Sequence, residues 1–181
     1  MLSLNFHPFP ELHTERLVLR QLVKADAAGM QQLRSGEGLK YLPHLTEKSL
    51  EEHAAWINKI NANVVQNEAL QWAITLKEQP EQLLGTLCLW NIDTEAKRGE
   101  IGYHLAIALH RQGIMSEALI ALIDLSKSIG LSTLEAFTLP YNEPSLLLLK
   151  KLGFVHDPAA EARVGTIELH GNVVYSLSLV D

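Results

Sequence analysis

The apolar positions of this chain change period along its length, and each change marks an element. In Arg16–Leu22 (RLVLRQL), Leu17 and Leu19 alternate against Val18, Arg20 and Leu22, as in a strand with one face only partly buried. Pro8 and Pro10 precede it, so residues 1–13 are expected to form an extended arm. Asp26 is placed to cap a short helix over Ala27–Arg34, weakened by Gly29. Ser49 and Glu52 have the spacing of a capping box. Behind them Leu50, Ala54, Ile57 and Ile60 fall on one helical stripe to about Val65, with Trp56 beside it. Leu70–Leu76 (LQWAITL) and Leu83–Ile92 (LLGTLCLWNI) read as a hairpin broken at Pro80. Glu100–Ile107 (EIGYHLAI) follows as a third strand, and such neighbours usually pair antiparallel.

The period then becomes 3.6. Ile114, Ala118, Ala121, Leu122, Leu125 and Ile129 form the stripe of a long helix that opens at Gly113 and closes at Gly130. Thr133–Leu139 reads as a strand, and Pro144–Leu152 as a short helix opened by Asn142 and stopped by Gly153. Phe154–Val155, Thr166–Leu169 and Val173–Val180 read as the last strands, the final two joined as a hairpin by the His170-Gly171-Asn172 turn. The order β-α-α-β-β-β-α-β-α-β-β predicts an α+β (mixed α/β) domain on one central sheet.

Composition narrows the function. With 181 residues, 47% hydrophobic and 20% charged, the chain fits one globular domain whose core needs neither disulfides nor a structural metal. Fifteen Lys and Arg against 21 Asp and Glu give a net charge of −6, without the basic surplus by which nucleic-acid binders neutralise phosphates. Cys88 is the only cysteine, which excludes an intrachain disulfide and a four-cysteine zinc site. On its alternating strand it reads as a buried, inert thiol. The eight histidines include no HExxH and no CxxC…HxxxH spacing, so no metal is expected. There is no apolar run of 18 residues and no signal-peptide pattern, so a cytoplasmic protein without a membrane segment is expected.

The informative stretch is Glu100–Leu122, EIGYHLAIALHRQGIMSEALIAL. A strand runs into a loop that opens directly onto a long helix, whose first turn offers free backbone amides and the positive end of the dipole. Gly113 lets an anion approach the backbone, and Arg111 adds a cation, together the makings of a pyrophosphate cradle. It is neither a Walker loop nor a Rossmann fingerprint, because GxxxxGK[ST] and GxGxxG are both absent.

Four segments in order resemble the GNAT superfamily of N-acetyltransferases, specifically its ribosomal-protein alanine acetyltransferase-like (RimJ/RimL-like) branch. They are TERLVLRQL (14–22), LLGTLCL (83–89), GEIGYHL followed by HRQGIMSEAL (99–105 and 110–119), and YNEPSLLLLKKLGF (141–154). The resemblance implies a single acyltransferase domain over residues 14–181. It also implies a mostly antiparallel sheet of about seven strands, splayed between the fourth and fifth, and about four flanking helices. Acetyl-CoA is the implied acyl donor. Its pantetheine would lie along Leu105, Ala106 and Ile107, and its pyrophosphate on the amides of Arg111, Gln112, Gly113, Ile114, Met115 and Ser116. By the same resemblance Asn142 would contact the pantetheine and Ser145 would sit close to the thioester sulfur. His110 and Met115 depart from the family's loop, and Met115 must turn its bulk away from the phosphates. Leu149 stands where many members carry a tyrosine acid, which leaves Ser145 as the candidate proton donor to the leaving thiolate.

Amine attack on a thioester requires a neutral amine and a protonated leaving group. Glu100 is the candidate base, because it shares one strand face with Gly102 and His104. His104 is a candidate substrate contact, as are Trp72 and Trp90, although strand tryptophans are more often core. The expected reaction is direct transfer to a primary amine, either a protein N-terminus or a small molecule, by a monomer or homodimer. The acidic surface would favour cationic acceptors. The alternatives on the same fold are an acyl-CoA sensor without turnover and a non-catalytic interaction domain.

Overall fold

The structure, a computed structural model, describes residues 2–43 and 45–180. The alternating segments become the middle of a sheet of eight strands. These are β1 (Leu12–His13), β2 (Leu17–Gln21), β3 (Leu70–Leu76), β4 (Gly85–Asp93), β5 (Arg98–Leu105), β6 (Thr133–Thr138), β7 (Val155–His156) and β8 (Val173–Ser178). They lie in the order β1-β2-β3-β4-β5-β6-β8-β7, antiparallel throughout except for the β5–β6 pair. Six helices flank the sheet: α1 (Ala27–Leu33), α2 (Leu50–Val65), α3 (Ile114–Ser128), α4 (Glu143–Lys151), α5 (Pro158–Val164) and α6 (Thr166–Leu169).

Each face of the sheet has its own core. On one, Leu19, Trp72, Ile74, Leu87, Leu89 and Ile101 pack with Ile114, Met115, Ala118 and Leu122 of α3 and Leu149 of α4. On the other, Leu22 and Ala73 pack with Ala27, Met30 and Leu33 of α1 and Ile57 of α2. The N-terminal residues are extended but not loose: Phe6 is buried, and Phe9 lies edge-on against Trp72.

Local signals explain most of the helices. Ser49 Oγ accepts from the Glu52 amide while the Glu52 carboxylate accepts from the Ser49 amide, so the capping box forms and starts α2. Asn142 Oδ1 accepts from the Ser145 amide at 3.3 Å and starts α4. Asp26 behaves differently from the expected cap. It makes no side-chain cap bond to α1, and its carboxylate instead accepts from the Val23 amide and pairs with both terminal nitrogens of Arg20 at 2.8 Å.

The C-terminal region departs from the sequence pattern. Thr166–Leu169 is helix α6 rather than a strand, and the expected 166–169/173–180 hairpin is replaced by β7 paired with β8, with α5 and α6 between them. The cause is upstream. Asp157 Oδ1 accepts from the Ala160 amide at 2.9 Å and Pro158 occupies the first helical position, so a helix begins where alternation alone suggested none. His170 and Gly171 both adopt positive φ, as turn residues should, but the turn joins a helix to β8.

Candidate active site

The parallel pair β5–β6 is short. Arg98–Ile101 pair with Thr133–Ala136, and there the pairing stops. Beyond it β5 continues through Gly102–Leu105 paired only to β4, while β6 continues through Thr138 paired to β8. Two strand edges therefore part in the middle of the sheet. At the open end of β6 the buried Thr138 hydroxyl has no hydrogen-bond partner. At the open end of β5 a hollow of about 280 Å³ is lined by residues including Leu33, Gly38, Leu83, Leu105, Ala106 and Ile107.

The loop from this opening leads to the N-terminus of α3. Residues 107–109 form a 3-10 turn, and Arg111 and Gly113 adopt φ of 62° and 78°. The left-handed conformation at Gly113 suits glycine and sets the first turn of α3. The first helical bond runs from the Glu117 amide to the Gly113 carbonyl, so the preceding amides stand outside the helical ladder. Met115, only 6% exposed, turns into the main core as its place in the loop required. His110 Nε2 donates to the Leu105 carbonyl at 3.1 Å, a bond that selects the Nε2–H tautomer.

Arg16 is a feature of this end that sequence reasoning missed. Its guanidinium donates to the Gln112 carbonyl at 3.1 Å and to Glu117 Oε2 at 2.7 Å, and it reaches the space a Gly113 side chain would need. Burial alone would raise the Glu117 carboxyl, but Thr14 and the amide and guanidinium of Arg16 hold it below the usual range. The β1–β2 turn is thus tied to the first turn of α3. The link joins residues about a hundred apart, and no local pattern announces it.

Register places the other candidates. Trp90 lies opposite Glu100, Cys88 opposite Gly102 and Thr86 opposite His104, so Glu100, Gly102 and His104 share the sheet face that also carries Cys88 and Trp90. A register shift between Trp90 and Asp93 puts Asn91 at φ 47°, from where its amide nitrogen lies 3.4 Å from Glu100 Oε2. Burial raises the Glu100 carboxyl to about 7. The Asn91 bond opposes this, and the charge of Glu135, next to it on β6, adds to it. Burial, then the Arg34 charge, lowers the His104 imidazole to about 4. Burial of its thiol pushes Cys88 up to about 12 against a backbone bond at Gly102, so it stays protonated and non-nucleophilic.

Beside this floor is a cleft of about 350 Å³, lined by residues including Ile60 and Asn63 of α2, Gln71, Cys88, Trp90 and Asn91. Trp90 is 47% exposed and stands at the cleft. Trp72 does not, and its candidacy as an acceptor contact is withdrawn: it is fully buried on the opposite face, with its indole N–H donating to the Pro10 carbonyl at 2.7 Å. Alternation alone could not show which tryptophan faced the core.

Ser145, at the start of α4 and 8% exposed, is joined to Tyr103 of β5, whose hydroxyl lies 2.8 Å from Ser145 Oγ. Burial raises the Tyr103 phenol to about 12. Leu149 is buried in the core, and the phenol bonded to Ser145 comes instead from a strand some forty residues earlier in the chain. Sequence reasoning missed Tyr103, because the resemblance looked for a tyrosine on α4. No helix among the described residues is long and apolar enough to cross a membrane, and no group of three or more His, Cys, Asp or Glu side chains among them could hold a metal ion.

The structure thus brings together a sheet parted between β5 and β6, a loop leading from the opening to the N-terminus of α3, and a raised carboxylate next to residues that line a cleft. A family model for the acetyltransferase (GNAT) domain matches residues 16–155. The uncharacterized N-acetyltransferase p20 of Bacillus licheniformis is 36% identical over 145 residues, covering 79% of this chain and 81% of the relative. The uncharacterized N-acetyltransferase YoaA of Bacillus subtilis is 30% identical over 148 residues, covering 81% and 83%. Among solved structures, a "putative ribosomal-protein-serine acetyltransferase" from Vibrio cholerae superposes with a TM-score of 0.77 at 25% identity, covering 94% of this chain and 98% of that one. The microcin C7 self-immunity acetyltransferase MccE, in complex with acetyl-CoA and AMP, superposes with a TM-score of 0.75 at 18% identity, covering 91% and 93%. The chain belongs to the GNAT acetyltransferase family, and it is an acyltransferase enzyme.

Proposed function

We propose that this protein transfers the acetyl group of acetyl-CoA directly to a primary amine. The observation that carries the reading is the parting of β5 from β6 after Ile101 and Ala136, with the α3 N-terminus at the end of the loop leading from the opening. Acetyl-CoA supplies an acyl group activated as a thioester. Amides of Arg111–Ser116 hold its pyrophosphate, aided by the Arg111 and Arg16 cations. The unpaired edge of Leu105–Ile107 receives the pantetheine as an added strand would, with Asn142 on the other side of the gap. A protein of the same fold has been seen with acetyl-CoA bound.

Glu100 is the base. A carboxyl near 7 is poised to take a proton from an ammonium group close to neutral pH and release the amine for attack. As the C–N bond forms and the C–S bond breaks, Ser145 gives its hydroxyl hydrogen to the departing sulfur, Tyr103 passes its own to Ser145 through their shared bond, and the second proton shed by the newly acylated nitrogen restores Tyr103 by way of solvent. Trp90 and His104 contact the acceptor. Cys88 takes no part, consistent with direct transfer rather than an acyl-enzyme.

The test is calorimetric titration of acetyl-CoA into the wild type and Gly113→Glu, followed by an amine screen. Micromolar binding by the wild type and none by the variant is the expected result. A folded wild type that binds no acetyl-CoA would end this reading and favour an interaction domain.

A further inference from the structure

The chain has six arginines, and their partners sort them. Arg16 pairs with Glu117, Arg20 with Asp26, Arg98 with Asp93 and Glu135, and Arg163 with Glu135. Among the described residues, Arg34 and Arg111 pair with no carboxylate. Arg111 is exposed on the proposed pyrophosphate loop. Arg34, just past the end of α1, is half-buried, with its guanidinium 4.4 Å from the Trp56 ring centroid and its buried Nε without any hydrogen-bond partner. Two imidazoles share its surroundings. His53 of α2 is 1% exposed and neither ring nitrogen has a partner; His104 of β5 has an unpartnered buried Nδ1. The Arg34 charge acts on both and on Cys88, which lies opposite Gly102 on the active-site floor.

A buried guanidinium Nε and a buried imidazole without hydrogen-bond partners are costly unless a ligand completes them. Arg34 brings a full positive charge with no carboxylate partner among the described residues, and each neutral imidazole can add one N–H, so an anion completes the group. Burial, then the Arg34 charge, lowers both imidazoles; Lys48 acts the same way on His53, and the Glu52 carboxylate opposes.

We propose that Arg34, with His53 and His104 beside it, binds an anionic group, a carboxylate or a phosphate, carried by the acceptor at a distance from its amine. The proposal rests on the acetyl-transfer reading above. Glu100, where the amine is deprotonated, and His104 lie four residues apart on β5, with Gly102 between them. The amine and the anion are therefore separated by about two to four strand residues, on the order of 7–13 Å. That span suits a peptide N-terminus followed by an acidic side chain, or a longer ω-amino acid, and excludes the α-carboxylate of a free amino acid. The local preference is thus opposite to that suggested by the net charge of −6.

Two matched pairs test it: a peptide beginning Ala-Glu against one beginning Ala-Gln, and 6-aminohexanoate against 6-aminohexanamide. Binding to the CoA-loaded wild type is measured by calorimetry and acetylation by kcat/KM. The expected result is that the anionic member of at least one pair binds and reacts roughly tenfold better or more; the responding pair says whether the source is a peptide or a small molecule. Arg34→Gln should bring that member down to its neutral mate, while acetyl-CoA affinity stays unchanged. Arg34→Lys, which keeps a point charge, should retain part of the preference and covers the case in which the glutamine variant fails to fold. Wild-type protein that binds CoA but prefers neither anionic member overturns the proposal, as does an Arg34→Gln that weakens both members equally. Failure to bind acetyl-CoA at all, measured first, sinks the acetyl-transfer reading instead.

Discussion

The two halves of the proposed active site are made of different material. The donor side, from Leu105 to Ser116, is backbone: a strand edge, a loop and the first turn of α3, shaped by one left-handed glycine. The proposed acceptor side is side chains: Glu100 and His104 from β5, Trp90 from β4, Arg34 just past α1 and His53 from α2. A backbone site tolerates substitution wherever the side chain points away, as Met115 does. A side-chain site depends on each residue separately, and its chemistry can change without altering the fold.

Substitutions should divide along the same line. The largest effect is expected from Gly113→Glu, which puts an anion and a strained φ at the helix N-terminus. Acetyl-CoA affinity should fall more than ~100-fold by calorimetry, while Gly113→Ala, which brings strain of about 1–2 kcal/mol without charge, should weaken it far less. Glu100→Gln should leave that affinity intact and lower kcat/KM by about 10²–10⁴. In the wild type kcat/KM should rise with pH through about 7 as Glu100 ionises, and this limb should vanish in the variant.

The same carboxyl predicts stability. Its folded pKa lies above the unfolded value, so the folded state holds its proton more tightly, and stability is lost as pH rises from about 4.5 through about 7. Glu100→Gln should therefore raise the melting temperature at pH 8 by about 2–4 °C, allowing for screening of a half-buried group, and change it little at pH 5.

Next comes the Tyr103–Ser145 pair. Ser145→Ala should reduce kcat about tenfold with KM nearly constant, and Tyr103→Phe should reduce it less while costing about 1 kcal/mol of stability. If both leave kcat untouched, the leaving sulfur takes its proton elsewhere. The smallest change in fold is expected for Trp90→Ala, within about 0.5 kcal/mol in denaturant unfolding, but with acceptor KM raised several-fold. Trp72→Ala should do the reverse, costing about 3–5 kcal/mol without a specific effect on acceptor KM.

The backbone elements of the proposed donor side were legible because their signals are local. Gly113 before a 3.6-period stripe, Asn142 three residues before Ser145, and the strand that ends at Leu105 all stand within a few residues of what they control. The capping box at Ser49 and the central strands β3, β4 and β5 follow for the same reason. The C-terminal segment was misread because Thr166–Leu169 alternates like a strand, and the Asp157-Pro158 start that makes the region helical lies before it.

The acceptor side was only half legible. Alternation placed Glu100, Gly102 and His104 on one face, but not which face the helices would cover, so Trp72 and Trp90 looked equivalent. Arg16 at the α3 turn, Tyr103 at Ser145 and Arg34 beside His53 and His104 join segments far apart in the chain. What this sequence determined by itself is what short-range forces set: the periods, the caps, the turns and the backbone cradle. Only the tertiary structure decided where β5 leaves β6, which tryptophan is buried and which arginines, among the described residues, are left without a carboxylate, because those outcomes depend on burial and charge pairing across the whole fold.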